Sequence, residues 1–465
     1  MKNPSQSQAQ PAPLSPRSAT RWAPKSMQPL GPSLPALVLA IYLGTAPVYW
    51  LPGISVPVVT FIKYALIIVV LSWSVADSFR DKSFFVSKGI FGALGISVIY
   101  LSMSAGFFQS ELSEVLRFAF DLIICFSMVW LSQRYSKDTN SIVTILSIAC
   151  LILSVFLVLT ISSNYTANLN FRNPYAPLLS VSSTGYGGAR TGWSLGTAMY
   201  TTVFLMVSAY ISRTSRLLGV SIALTAVSIL FWSHLTVGGR TGMVGTVVAT
   251  IVWIVMLRNS IYSIIIGSIV GIVIMVALGN DLIVDFLSDA LRLGSGRYNL
   301  GAYQLDTLSS GRLSQYDYAL RLISERPLTG HGLNVVGEGS RLATSGIHNI
   351  WLKFFAQGGF VPVVVIGGFC LFMACKAVAL SREWKTFEEA VLARMAAGIL
   401  ISGLAMSMFE PSVIIGTFQT SAMWWVAVGV VSVLSARMTF SRRAIRAQLR
   451  ARLSVRPIAE QPSHD

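Results

Sequence analysis

Ser345–Val365 reads SGIHNIWLKFFAQGGFVPVVV. A polar loop ends at His348 and Asn349, and an apolar run begins that continues to Ala379. Such a run marks a membrane-crossing helix, because a bilayer core of about 30 Å takes roughly 20 apolar residues. The stretch from Asn349 to Ala379 is too long for one straight span. It is expected to start along the interface or to bend near Gly358, Gly359 and Pro362, where glycine loosens the backbone and proline removes a donor. Its histidine is one of only four in the chain, with His234, His331 and His464. A scarce titratable group at a helix mouth calls for a reason.

Outward from this stretch, similar runs recur along all 465 residues. Charged residues make up 12% of the chain and hydrophobic ones 53%. A soluble domain carries about a quarter charged residues, so the composition excludes one. Twelve apolar runs stand out, at 33–50, 54–76, 89–109, 113–132, 141–162, 192–211, 217–233, 241–257, 259–279, 349–379, 390–408 and 412–436. The expected fold class is an all-α polytopic membrane protein of about 12 transmembrane helices, with a large loop between helices 9 and 10. The chain then divides into a polar tail (1–32), helices 1–9 (33–279), the loop (280–348), helices 10–12 (349–436) and a basic tail (437–465). The N-terminal tail is rich in Pro, Ser and Gln and lacks the pattern of a signal peptide, so it reads as a disordered cytoplasmic segment.

Charge sets the orientation. With both termini inside, the inner segments hold 21 Lys and Arg, against three in the short outer loops: Arg172, Arg190 and Arg240. The long loop 280–348 adds six, but long loops obey the rule poorly. Both termini are therefore expected in the cytoplasm. The net charge of +16 follows from this bias and from the basic segment SRRAIRAQLRARL, which suits anionic membrane lipid; nucleic acid is not expected as a partner. Cys125, Cys150, Cys370 and Cys375 all fall in apolar runs without metal-ligand spacing, and read as small packing residues.

In the loop, Leu313, Tyr316, Leu320 and Ile323 are spaced 3, 4 and 3, one face of a helix. Ser310 is placed to cap it and Pro327 to stop it. Within the spans, ionisable groups are few. Arg117 and Asp121 lie four apart and can neutralise each other, and Lys376 and Arg394 lie near cytoplasmic ends and can snorkel. Lys353 also falls inside a span, and Lys63 has no evident role.

The outer set differs. Arg190 lies in TGYGGARTGWSLGTAMY before the sixth span, Arg240 in HLTVGGRTGMVGT before the eighth, His348 before the tenth, and Glu410 in MFEPSV between the last two. All four are expected at one depth, where the outer leaflet begins. Each alone also suits a helix cap or a lipid contact. Together, two arginines in GARTG and GGRTG contexts and one imidazole suit an anionic substrate and a proton transfer: guanidinium forks match phosphate oxygens, and glycine lets backbone approach a ligand. No Asp-x-Asp pair, His-Glu-x-x-His or P-loop occurs. A metal–diphosphate site therefore has no support, and any phosphate charge falls to arginine.

At these residues the chain resembles the bacterial O-antigen ligase and polysaccharide polymerase superfamily. The likeness rests on GGRTGMVG opening a span, on SGRLSQYDYALRLISERPLTGHGLN in the large loop, and on HNIWLKFFAQGG closing it. It covers about 185–370 well and the rest by topology. Gly239 stands where a serine is usual, and Pro362 where a second glycine is usual, which leaves ligase and polymerase both open. The resemblance implies a membrane glycosyltransferase (GT-C-like) fold in the bacterial inner membrane, with its active site facing the periplasm. It implies transfer of glycan from an undecaprenyl-diphosphate-linked donor to a lipid A–core or lipid-linked glycan acceptor, without metal or other cofactor. Carried over by residue, Arg190 and Arg240 match the family's diphosphate-binding arginines and His348 its essential histidine. Arg312 and His331 are further candidates for glycan or diphosphate contact, and Glu410 for orienting His348 or pairing with an arginine. The competing reading is a lipid-linked sugar transporter or flippase. Carriers gather charge near the midplane, whereas here it gathers at the outer interface.

Overall fold

The computed structural model describes residues 33–48, 56–81, 95, 112–167, 186–236, 239–257, 312–333, 346–384, 386–416 and 418–454. The polar N-terminal tail, the runs at 89–109 and 259–279, and most of the two long loops lie outside the described residues. Among the described residues there are helices and connections and no strand. In chain order the helices are α1 (Leu34–Thr45), α2 (Val56–Asp81), α3 (Leu112–Tyr135), α4 (Thr139–Ala167), α5 (Tyr186–Met199), α6 (Thr201–Ile211), α7 (Arg216–Thr236) and α8 (Arg240–Val255). They continue with α9 (Arg312–Glu325), α10 (Ile350–Gly358), α11 (Phe360–Glu383), α12 (Phe387–Ser407) and α13 (Phe418–Ser454).

Among the described residues, seven stretches are long and apolar enough to cross a membrane: those on α2, α4, α7, α11, α12 and α13, and the one running through α5 and α6. The protein is a multi-pass membrane protein. The shorter apolar helices α1 and α8 pack among these. Burial separates centre from rim. The apolar stretch of α12 is 78% buried, against 22% for α7 and 28% for α2. Small residues let neighbours close on α12, as small residues do in membrane bundles. Gly398 faces Thr202 of α6 and Gly403 faces the Trp424 ring of α13.

Three breaks in the runs have local causes. The run at 192–211 bends at Tyr200, between α5 and α6, where Thr197 and Thr201 turn their hydroxyls back onto the carbonyls of Trp193 and Ala198; such back-bonding bends helices. The run at 33–50 ends as helix at Thr45, ahead of Pro47. The carbonyls left at that end are occupied from other helices: Lys63 of α2 donates to Ala46 and Val48, and Tyr200 Oη donates to Leu43. This is the role of Lys63 that its sequence position does not reveal. The third break divides the long run at Gly359, with φ +76°, into α10 and α11.

The final helix departs from the expected division at 436. It starts at Phe418, after a non-helical stretch over Ser412–Gly416, and runs unbroken to Ser454, so most of the basic segment is helical. At this end of the bundle the segments expected inside come together. Arg437 donates to Thr139, to the carbonyls of Ser136 and Lys137, and to Glu389; Arg213 pairs with Glu388 at 2.7 Å and Arg442 with Glu383 at 2.8 Å.

Candidate functional site

The site is at the opposite end of the bundle and begins with the residue after His348. Asn349 is the N-cap of α10: its side chain accepts from the backbone N–H of Trp351 (2.9 Å) and Leu352 (3.1 Å). An asparagine cap starts the helix there and leaves His348 just outside it. The α9 helix lies against this start. His348 N–H donates to Gln315 Oε1 at 3.3 Å, and Tyr316 Oη donates to the carbonyls of His348 (3.4 Å) and Met408 (3.3 Å). Trp351 Nε1 donates to Ser407 Oγ at 3.1 Å, joining α10 to the last residue of α12. The chain then turns and brings Glu410 beneath the imidazole, with Glu410 Oε2 3.2 Å from His348 Nδ1.

The pair is asymmetric. The Glu410 side chain is 8% exposed and the His348 side chain 41%. A buried carboxylate holding Nδ1–H fixes the tautomer in which Nε2 carries the free lone pair. Among the described residues nothing bonds Nε2. The arrangement can orient an imidazole and let its outer nitrogen accept a proton.

The expected face of α9 is met in part: Tyr316 and Ile323 are half-buried, but the closest contacts come from other residues. Ala319 and Leu322 are its buried residues, packed with Ile347 and Ala356, while Leu320 is 56% exposed. Small Ala319 lets the helix sit close to α10, which a spacing of large apolar residues does not reveal. The helix stops at Glu325, before Pro327. Ser310 lies outside the described residues.

His331 is buried in the seam after α9. Its Nε2 is 2.9 Å from the Leu322 carbonyl, and its backbone N–H donates to Ala356 O at 2.8 Å. Gly332 N–H donates to Gln357 O at 2.9 Å, and Phe360 N–H to Pro327 O at 2.9 Å. The segment TGHG thus occupies carbonyls freed where α10 ends. Gly330, with φ +69°, is obligatory there: a Cβ would lie 2.4 Å from the Gln357 carbonyl.

Arg190 is the fifth residue of α5 and Arg240 the first of α8, and the two helices pack together. Ser194, one turn beyond Arg190, donates from Oγ to the carbonyl of Gly239 at 3.0 Å, and Gly239 directly precedes Arg240. Two glycines that follow Arg240, Gly242 and Gly245, serve helix packing. A Cβ on Gly242 would lie 2.0 Å from Ser194 Oγ, and one on Gly245 would lie 2.3 Å from Met406 Sδ. The second contact matters for assembly. Gly245 is five residues into α8 from Arg240, and Met406 is four residues before Glu410. The arginine-bearing helix starts and the His348–Glu410 pair thus share one end of the bundle. The side chains of Arg117, Arg190, Arg240 and Arg312 lie outside the described residues; Arg312 is the first residue of α9, one turn before Gln315. Gln315 and Tyr316, and the buried trio Ser194, His234 and Thr246, are site neighbours that the sequence does not single out.

These features define a multi-pass helical membrane protein with a candidate site, half-exposed His348 over buried Glu410, at one end of its bundle. Residues 224–367, from within α7 into α11, match the family model described as O-Antigen ligase, a likeness that covers under a third of the chain. The match contains Arg240, Arg312, His331 and His348, and leaves out Arg190 and Glu410. No curated protein matches the chain.

Proposed function

We propose that the chain is a metal-independent glycosyltransferase of the inner membrane, with cytoplasmic termini and a periplasmic site. It moves glycan from undecaprenyl diphosphate to an acceptor sugar on lipid A–core or on another lipid-linked repeat. The observation that carries this reading is the His348–Glu410 pair, with Nδ1 held at 3.2 Å and Nε2 open, at the bundle end where the arginine-bearing helices start.

In this mechanism the acceptor hydroxyl loses its proton to His348 Nε2 as its oxygen bonds the anomeric carbon. The bond from that carbon to the diphosphate oxygen breaks, and the electron pair leaves with the lipid diphosphate. Arg190 and Arg240 hold the charge that grows there, as preorganised cations do for a departing phosphate. Glu410 stabilises the imidazolium that forms. The interfacial depth suits the substrate, since the polyprenyl tail stays in lipid while the sugars reach water. Arg312, one turn from Gln315, is assigned to the glycan. His331 is assigned to the fold, because its ring and backbone bond within the seam.

The test is transfer by purified protein in nanodiscs, from undecaprenyl-diphosphate oligosaccharide to each acceptor class, with EDTA present. Product formed with EDTA and abolished in His348→Ala supports the reading, and product size separates one transfer from chain growth. Movement of lipid-linked sugar across liposomes with no transfer would replace it with a carrier.

A further inference from the structure

Three polar side chains are fully enclosed between α5, α7 and α8, and the transfer chemistry above uses none of them. Ser194 is 2% exposed, and His234 and Thr246 are 0% exposed. His234 Nε2 is 2.9 Å from Thr246 Oγ1, and its Nδ1 is 3.4 Å from Ser194 Oγ. Ser194 Oγ donates in turn to Gly239 O at 3.0 Å, and Gly239 N–H donates to His234 O at 2.7 Å. One direction of donation satisfies every member. Thr246 donates to Nε2, Nδ1–H donates to Ser194, and Ser194 donates to the Gly239 carbonyl. Trp193 Nε1 adds a bond to Ser233 Oγ at 3.0 Å, from the same turn of α5 to the same end of α7.

Ser194 also lies in Gly192–Gly196, GWSLG, the Gly-x-Ser-x-Gly pattern of serine hydrolases. It is no nucleophile here. That pattern works on an exposed strand-to-helix turn, whereas Ser194 is enclosed inside a helix with its proton engaged by a carbonyl. A packing role alone does not explain the trio either. Buried polar groups at membrane depth are expensive, and apolar residues fill space more cheaply. What an interlocked polar set supplies is register: an apolar seam tolerates sliding, and a closed chain of donors and acceptors admits one alignment. The register fixed here is that of Gly239, and so of Arg240, against the turn of α5 that follows Arg190. Gly242 makes the fit possible, since a Cβ there would lie 2.8 Å from His234 Nδ1.

We propose that Ser194, His234 and Thr246 are positioning residues, a buried clamp that holds the Arg190 and Arg240 helix starts at one separation so that both address a single lipid diphosphate. This rests on the diphosphate assignment of those arginines.

The test uses the full chain in nanodiscs and two readouts. The first is affinity for undecaprenyl diphosphate, with KM for the glycan-bearing donor and kcat alongside. The second is the distance between spin labels at Arg190→Cys and Arg240→Cys, in a chain whose exposed Cys375 is replaced by serine. Expected for Thr246→Val and His234→Ala is a rise of roughly three- to tenfold in the dissociation constant and KM, with kcat nearly unchanged and a broadened distance distribution. His234→Gln, which keeps a donor and an acceptor, should restore part of the affinity. Ser402→Ala removes an equally buried hydroxyl that bonds only within its own helix, and should change neither readout. Should His234→Ala fail to fold, the near-isosteric Thr246→Val carries the test. If Arg190→Ala and Arg240→Ala weaken diphosphate binding but the clamp variants change neither affinity nor distance, the clamp is overturned and the diphosphate assignment stands. If the arginine variants bind undecaprenyl diphosphate as the unaltered chain does, the diphosphate assignment falls and the positioning role falls with it, even where the distance broadens.

Discussion

At one end of the bundle Arg437, Arg213 and Arg442 are each matched by a glutamate from the α11–α12 region, and Arg437 also satisfies two backbone carbonyls. At the other end Glu410 holds an imidazole, and Arg190 and Arg240 are the fifth and first residues of two glycine-bearing helices. Both ends are charged, but with different consequences. Charge matched by charge holds helices in place, and such pairs need no further ligand. A half-exposed histidine oriented by a buried carboxylate, at the bundle end where the arginine-bearing helices start, suits the incoming ligand proposed above. The difference is what favours the second end as the proposed site, and it can be broken residue by residue.

The largest effect belongs to His348. His348→Ala should lower turnover by about 10²–10⁴-fold, the usual worth of a general base. Donor binding and melting temperature should stay near those of the unaltered chain, because the ring bonds only Glu410 among the described residues. Transfer assays beside donor-affinity measurements check this, and undiminished turnover would remove the base assignment. Arg190→Lys and Arg240→Lys come next. Lysine keeps the charge and loses the planar fork, so kcat/KM should fall by roughly 10–10²-fold, and the alanine variants should fall further. Equal activity of lysine and arginine at both positions would mean that charge alone suffices.

Glu410→Gln tests the asymmetry itself. Glutamine can still accept Nδ1–H through its amide oxygen, so the ring keeps its orientation while the imidazolium loses its counter-charge. About tenfold should be lost from kcat and little from KM, and Glu410→Ala should lose more. A change confined to KM would place Glu410 in substrate binding, the other role its position suggests.

Much of this division is legible in the sequence, because it is written in residue counts. The positive-inside bias separates the two sets of segments, and the structure gathers the corresponding residues at opposite ends. Ten of the twelve runs fall largely among the described residues and are mostly helical there; those at 89–109 and 259–279 lie outside them. What does not read out is whatever depends on a partner far away in sequence. Lys63 looks anomalous until the carbonyl end of α1 is set beside it. Gly242 and Gly245, just after Arg240, make room for Ser194, His234 and Met406, partners that no local pattern announces. His331 and His348 look alike as loop histidines, but one is walled into a seam and the other stands half-open over a carboxylate. Periodicity gave α9 a face of large residues, whereas the close approach is made by Ala319.

The smallest effects belong to the matched end, and they sharpen the contrast. Arg437→Ala should leave transfer per folded molecule unchanged and cost about 1 kcal/mol of stability, since its hydrogen bonds are partly exposed to solvent. Arg442→Ala should cost less still. Its side chain is 59% exposed and its glutamate 42%, and exposed pairs are worth about 0–1 kcal/mol, with salt weakening them further. Thermal unfolding of both variants in nanodiscs, at low and high salt, measures the difference. Should Arg442→Ala abolish transfer while the fold persists, charge at this end would reach the chemistry at the other, and the separation of an anchoring end from a reacting end would have to be abandoned.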